Sequence, residues 1–234
     1  MVDIHTHILP KLDDGSRDTE ESLRMLRASA EQDVRVMVAT PHFYATENTP
    51  ERFLRRRAAS AEALRRVWKP GMPQVVLGAE VRYFDGVSRT ERLDALKLGA
   101  TAFLLLEMPF CPWTSRMVSE VLELQDRQDT QVLLAHIERY LAHQPKSVWD
   151  ALYASGVKMQ CNASFFLHWR TKRKALRMLR ERKIHFVASD CHNMAARPPR
   201  LGEAMKMIES APSGKSFLCE EAAAFLRMAR KAAP

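Results

Sequence analysis

The chain is predicted to adopt an α/β fold on a largely parallel sheet, and three observations carry that expectation. Seven short apolar runs recur along its 234 residues, six of them near-continuously apolar, as strands buried on both faces are. Stretches of helical spacing separate them, so strand and helix alternate seven times. Neither G-x-G-x-x-G nor G-x-x-x-x-G-K-[ST] is present, which removes the best support for a nucleotide-binding open sheet. The alternation predicts a closed barrel or an open doubly wound sheet, and in both the working site lies at the carboxyl ends of the strands.

In chain order, strands are expected over 2–5, 34–40, 74–81, 102–108, 131–137, 157–162 and 184–189. Helices are expected over 19–32, 51–68, 88–98, 115–130, 145–155, 171–182, 201–210 and 216–230. The first helix is well marked: Asp18 caps it, Glu21 follows three residues on, and Leu23, Leu26 and Ala30 recur at helical spacing. No internal repeat, long linker or low-complexity segment interrupts the pattern. With 46% apolar composition the length suits a single domain over 1–234.

No window approaches eighteen apolar residues, and the first residues lack a basic region followed by an apolar one. A soluble, cytoplasmic protein with no membrane insertion is expected. Cys111, Cys161, Cys191 and Cys219 are far apart with no C-x-x-C pair, which fits a reducing compartment and suggests no thiolate zinc site. The 36 Lys and Arg against 28 Asp and Glu leave a net charge of +8, which favours an anionic partner. These cations gather on helices, at Arg55, Arg56 and Arg57, at Arg65 and Arg66, and most densely from Arg170 to Lys183. Without interleaved aromatics they read as a solvated face, and no stable nucleic-acid partner is expected.

The strand ends are more telling. The first run delivers His5 and His7, and the second His42; Glu80, Glu107, His136 and the pair Asp190 and His192 follow others. Each alone has an ordinary structural explanation, and Asp14 ahead of Gly15 reads equally as a turn residue. Together the nine place four carboxylates at one rim, a repulsion that bound cations relieve. Nine donors exceed the needs of one ion, so two or three ions sharing carboxylates are expected, and nitrogen and oxygen donors without thiolate suit manganese, iron or zinc. His5 and His7 stand two apart on an extended chain and face one way. Asp3 and Asp13, in the same stretch, have no matching role.

These pieces, H-T-H, D-D-G, T-P-H, G-x-E, the HIERY of His136 to Tyr140 and the SDCHN of Ser189 to Asn193, form an ordered set from Met1 to about Leu201. The set resembles the PHP superfamily of metal-dependent phosphoesterases, and more closely its bacterial CpsB/CapC branch of manganese-dependent protein-tyrosine phosphatases. The resemblance implies a distorted (β/α)7 TIM-like barrel and a centre of three Mn2+ ions. His5, His7, Glu80 and Asp190 would hold one ion, Glu80 would bridge to a second held by Glu107 and His136, and Asp14, His42 and His192 would hold the third. Arg139 and Arg197 match the family's phosphate-binding arginines. The implied substrate is a phosphotyrosine protein, a bacterial tyrosine kinase controlling capsule and exopolysaccharide synthesis, hydrolysed by a metal-bridged hydroxide. Ile137 stands where members usually carry proline, Cys191 where they carry a small residue, and SFFLHWRTKRK after Asn162 is unusually basic and aromatic.

Phe43, Tyr44, Phe110 and Trp113 follow two of the donor-bearing strands and suit either loop packing or walls for a phenyl ring. Three rivals remain. Cys191 to Arg197 satisfies C-x5-R, the minimal signature of cysteine-dependent tyrosine phosphatases, although it lacks glycine and runs into Pro198 and Pro199. A small phosphomonoester such as histidinol phosphate, or a nucleic acid cleaved by a nuclease-like module, would suit the superfamily. A non-catalytic metal-binding partner of a kinase is the reading from another class.

Overall fold

The computed structural model describes residues 1–231, so the last three residues of the expected domain, 232–234, lie outside the described range. The elements follow the order β1 (Val2–Thr6), α1 (Thr19–Ala30), β2 (Val36–Ala39), β3 (His42–Phe43), α2 (Pro50–Val67), β4 (Gln74–Leu77), β5 (Glu80–Arg82), β6 (Phe103–Glu107), α3 (Ser115–Gln125), β7 (Gln131–Leu134), α4 (Lys146–Ala154), β8 (Lys158–Asn162), α5 (Ala163–Leu167), α6 (Lys172–Arg180), β9 (Phe186–Ala188), α7 (Leu201–Ile208) and α8 (Pro212–Lys231). The α/β expectation holds, and every strand pairing is parallel.

The strand orders are β1-β2-β4 and β3-β5-β6-β7-β8-β9. The strand expected over 74–81 is bent into β4 and β5 at Gly78–Ala79, and the one expected over 34–40 gives β2, beyond which β3 resumes after Thr40–Pro41, where proline offers no N–H. Backbone bonds cross both bends, from Gly78 N to Ala39 O (2.8 Å) and from Glu80 N to Pro41 O (3.1 Å). At the far side β9 returns to β1, where Asp190 N donates to His5 O (2.9 Å) and His7 N to Cys191 O (2.8 Å). The sheet therefore curls on itself as a distorted TIM-like barrel.

Two apolar layers hold it. Leu104, Leu106, Val132, Leu134 and Met159 face the helices, against Met25, Leu26, Leu64, Val121, Leu124, Leu152 and Leu179. Ile4, Val38, Leu105, Leu133 and Ala188 fill the inside, and Phe225 of α8 closes the amino-terminal end with Phe103 and Phe186, ring centroids 5.5 to 6.3 Å apart. Lys158 anchors α8 there through Glu221 (2.7 Å).

The helix expected over 88–98 is replaced by two short 3-10 turns, Val87–Arg89 and Leu93–Leu96. Gly86 and Arg92 precede them with left-handed backbone (φ 86° and 66°), which interrupts any continuous helix, while buried Val87, Leu93 and Leu96 pin the turns to the core. The expectation for 171–182 also misses α5, a single helical turn directly after β8 whose Phe165 and Phe166 are buried.

Candidate metal centre

The register of β1 slips: Val2 and Asp3 pair with Val36 and Met37, but Thr6 pairs with Ala39, so one extra residue stands in β1. Such a bulge re-aims side chains. His5 and His7 turn together to the carboxyl end of the barrel, whereas Asp3 spends its Oδ1 on Ser189 N (2.9 Å) and its Oδ2 has no partner. Burial pushes the Asp3 carboxyl up to about 6, against the bonds from Ser189. Thr6 locks the bulge by donating its hydroxyl to Val38 O (2.8 Å).

The loop after β1 brings Asp13 and Asp14 back over the strand end. Gly15 permits this approach, since a Cβ there would lie 2.3 Å from His7 O. Asp13, without a role in the sequence reasoning, accepts from His7 Nδ1 (2.7 Å) and from the N–H groups of Gly15 and His42 (both 3.0 Å). Asp14 is 63% exposed at the mouth, with Oδ1 3.3 Å from His42 Nε2 and 3.4 Å from His192 Nε2. The adjacent imidazoles, His192 first, hold its carboxyl far below the usual range.

The nine expected donors come together, eight of them wholly or largely buried. Behind the imidazoles a set of anchors fixes ring orientation, as in metal sites generally. His5 Nδ1 donates to Gln160 Oε1 (3.2 Å), His7 Nδ1 to Asp13, His192 Nδ1 to Asp190 O (3.0 Å), and His136 Nδ1 lies 3.1 Å from the Tyr140 hydroxyl, which also accepts from Met108 N. The Nε2 atoms of His5 and His7 are thereby left as lone pairs only 3.3 Å apart, an arrangement that calls for a proton or a cation between them. Glu80 Oε2 lies 3.3 Å from each of these nitrogens, and Asp190 Oδ1 lies 3.4 and 3.5 Å from them. Ligand atoms held tetrahedrally at about 2.1 Å from an ion stand roughly 3.4 Å apart. The His5, His7 and Asp190 atoms stand at such spacings, and Glu80 Oε2 lies equally near both imidazoles.

Three groups of donor atoms lie mutually within 4.8 Å: His5, His7 and Asp190; His7, Asp14, His42 and His192; and His42, Glu80 and Glu107. The grouping differs in detail from the implied one, because His42 reaches Glu80 Oε2 (2.9 Å) while His136 Nε2 sits 2.8 Å from Glu80 Oε1 and 3.7 Å from Glu107. Buried His42 Nδ1, Glu80 Oε2 and His192 Nε2 make no aligned hydrogen bond, an expense that coordination would relieve. Without ions, protons balance the charge. Burial opposes a charged His7, but Asp13 overrides it and raises that imidazole well above its usual value; in the same way Asp14 and Glu80 lift His42 to about 9. Glu80 and Asp190 are held far down by the surrounding histidines, His5 foremost, despite burial. His136 and Asp190 both adopt left-handed backbone (φ 34° and 51°), strain of the kind that collects at functional sites.

Arg139 and Arg197 meet at Asp190, donating to its Oδ2 at 2.8 and 2.6 Å. Sequence reasoning missed three further residues: Gln160, whose Oε1 also accepts from His136 N (2.7 Å); Asn162, which donates to Asp190 Oδ2 (2.8 Å); and Arg82, which donates to Glu107 Oε2 (3.1 Å). Gln160 and Asn162 end the one strand that seemed to deliver nothing; their alternation with Cys161 is the only sequence signal. The four aromatics divide. Phe43 and Trp113 are packed in the core, whereas Tyr44 stacks on His42 (5.3 Å) and Phe110, 46% exposed, stacks on His136 (6.1 Å) and under Arg139.

The C-x5-R rival fails on this geometry. Cys191 is fully buried, and burial drives its thiol well above the usual range. Asn193 Oδ1 already accepts from the N–H groups of Ala195, Ala196 and Arg197 (2.8 to 3.1 Å), so the backbone that a phosphate loop would need is spent, and α7 begins only at Leu201.

Residues 1–223 match the family described as "Capsular polysaccharide synthesis, CpsB/CapC". The chain is 34% identical over 225 residues to a tyrosine-protein phosphatase CpsB of Streptococcus agalactiae, covering 89% of each, and 30% identical over 217 residues to tyrosine-protein phosphatase YwqE of Bacillus subtilis, covering 89% of this chain and 84% of the other. It superposes with a TM-score of 0.83 and 28% identity, over 97% of this chain and 95% of the other, on a structure from work on Bacillus subtilis YwqE and Streptococcus pneumoniae CpsB, described as unique metal-dependent tyrosine phosphatases. A histidinol phosphate phosphatase of Lactococcus lactis shares the fold at a TM-score of 0.57 and 14% identity, covering 90% of this chain and 94% of the other.

Proposed function

Because the chain belongs to the CpsB/CapC family of capsular polysaccharide synthesis, we propose that it is a metal-dependent protein-tyrosine phosphatase, with residues 1–234 as one phosphoesterase domain. The observation that carries this reading is the juxtaposition at the barrel mouth: a buried histidine-carboxylate cluster, two arginines on Asp190, and an exposed aromatic against the same cluster. We propose manganese as the ion, three per chain, with iron and zinc also suited to these donors. The substrate is a phosphotyrosine protein, an autophosphorylated tyrosine kinase of capsule or exopolysaccharide synthesis, and the unpaired cysteines suit a cytoplasmic setting.

Ions held by His5, His7, Asp14, His42, Glu80, Glu107, His136, Asp190 and His192 would neutralise phosphate oxygens and lower the pKa of a water from 15.7 to about 7. Arg139 and Arg197 use one N–H each on Asp190 and retain others for the non-bridging oxygens, where a planar fork outperforms lysine. Phe110, stacked on His136, and Tyr44, stacked on His42, are the rings at the cluster that would receive the phenyl group. A tyrosine leaving group has a pKa of about 10, so it departs without a dedicated acid.

The test is hydrolysis of a phosphotyrosine peptide before EDTA, after EDTA and after manganese readdition, with His136→Ala as control and histidinol phosphate and single-stranded DNA as competing substrates. Loss and recovery with the ion, with preference for the peptide, is expected. Preference for histidinol phosphate or DNA would reject the substrate class. Fewer than one ion per chain together with no activity would return the protein to a binding role.

A further inference from the structure

Between β8 and β9 lies a segment that the site does not use. Arg170, Lys172, Arg173, Lys174, Arg177 and Arg180 make no ion pair among the described residues; Lys183, at the far end, pairs with Glu181. Trp169 beside them is 69% exposed, with the Arg170 guanidinium 4.7 Å from its ring centre. Their place follows from topology. β8 ends at Asn162 on Asp190, α5 follows at once, and α6 then runs back to the start of β9, so the Trp169 to Lys174 end lies on the same rim as the metal centre. α5 packs on α7, the helix after the loop that carries Arg197.

We propose that this rim segment docks an acidic stretch of polypeptide flanking the phosphorylated tyrosine, and so selects among protein substrates. The proposal rests on the phosphatase reading above and adds a binding subsite to it. Six unpaired cations leading away from a phosphate-binding mouth complement a chain of carboxylates, and Trp169 supplies a flat apolar anchor. A membrane is the poorer fit, because the apolar face of α6, Ala175, Met178 and Leu179, is already buried in the fold and leaves no stripe to insert. Nucleic acid is poorer still, since one exposed indole gives no series of stacking platforms.

Fluorescence anisotropy with labelled peptides, one acidic and one with serine replacing each acid, both lacking phosphate, reads docking without turnover. The wild type is expected to prefer the acidic peptide by about tenfold at low salt, with the preference shrinking as salt rises. The charge reversal Arg170→Glu/Arg173→Glu/Lys174→Glu, and the milder replacement of the same three by serine, are expected to abolish it. Both should leave hydrolysis of free phosphotyrosine unchanged. If free phosphotyrosine is not hydrolysed but the binding preference stands, the catalytic reading fails and the docking surface survives. Equal binding of the two peptides, retained preference in both variants, or tighter binding to anionic vesicles or single-stranded DNA than to the acidic peptide would overturn the proposal.

Discussion

Asp13 shows how a side chain behind an imidazole sets that ring's orientation. Its bond to His7 Nδ1 at 2.7 Å fixes which ring nitrogen faces the centre, while its other bonds tie His42 and Gly15 to the same carboxylate. Asp13→Ala is expected to weaken metal affinity about 10- to 100-fold, measured by titrating metal-free protein, with activity recovering at high manganese. Unchanged affinity would remove the orienting role. Sequence placed Asp14 and Asp13 side by side with equal claims; only the fold distinguishes the residue at the mouth from the one behind the ring. Phe110 invites a second substitution. Phe110→Ala should raise KM several-fold for phosphotyrosine peptide while leaving KM for an aliphatic phosphomonoester nearly unchanged, because an exposed stacking ring recognises the aryl group alone.

At the scale of elements, the β1 bulge and the bent strands matter more than regular structure. Strict alternation would have aligned Asp3 with His5 and His7; one extra residue separates their fates. The strand positions were legible because buried parallel strands read as apolar runs, whereas 88–98 failed because its apolar residues anchor two turns at a spacing that mimics a helix. His185, just before β9, makes a testable case away from the site. Its Nδ1 accepts from Met159 N (3.1 Å), and burial, with Lys158 adding to it, lowers the imidazole to about 3. An unfolded histidine protonates near 6.5, so this group's contribution is complete above about pH 6.5 and is lost as the pH falls toward 3. Thermal midpoints between pH 7 and 4 should fall more steeply for wild type than for His185→Gln; parallel curves would refute this.

Across the whole molecule the centre couples assembly to protons. Nine donors arrive from β1, its following loop and the ends of most later strands, so binding of ions should cross-link the barrel rim and raise the thermal midpoint with the logarithm of ion concentration over Kd. His42 holds its proton up to about pH 9 in the ion-free protein and must lose it to coordinate. Ion affinity should therefore climb with pH from 6.5 toward 9, by about tenfold per unit for each proton released. Calorimetric titration at pH 6.5 and 8.5 checks the slope, and a flat profile would contradict the proton balance drawn from the cluster.

The sequence by itself determined the α/β class, most strand positions and the nine polar residues that the fold brings to one rim, because burial on both faces and polar residues at strand ends leave local patterns. It could not determine how the donors group around Glu80, that Asp13 and Gln160 orient the histidines, or that Phe110 reaches the site while Phe43 enters the core. Those outcomes depend on bulge, bend and barrel closure, which bring together atoms up to 186 residues apart, as in the bond between Asp3 and Ser189. Distances of that kind are fixed by packing, and no local pattern records them.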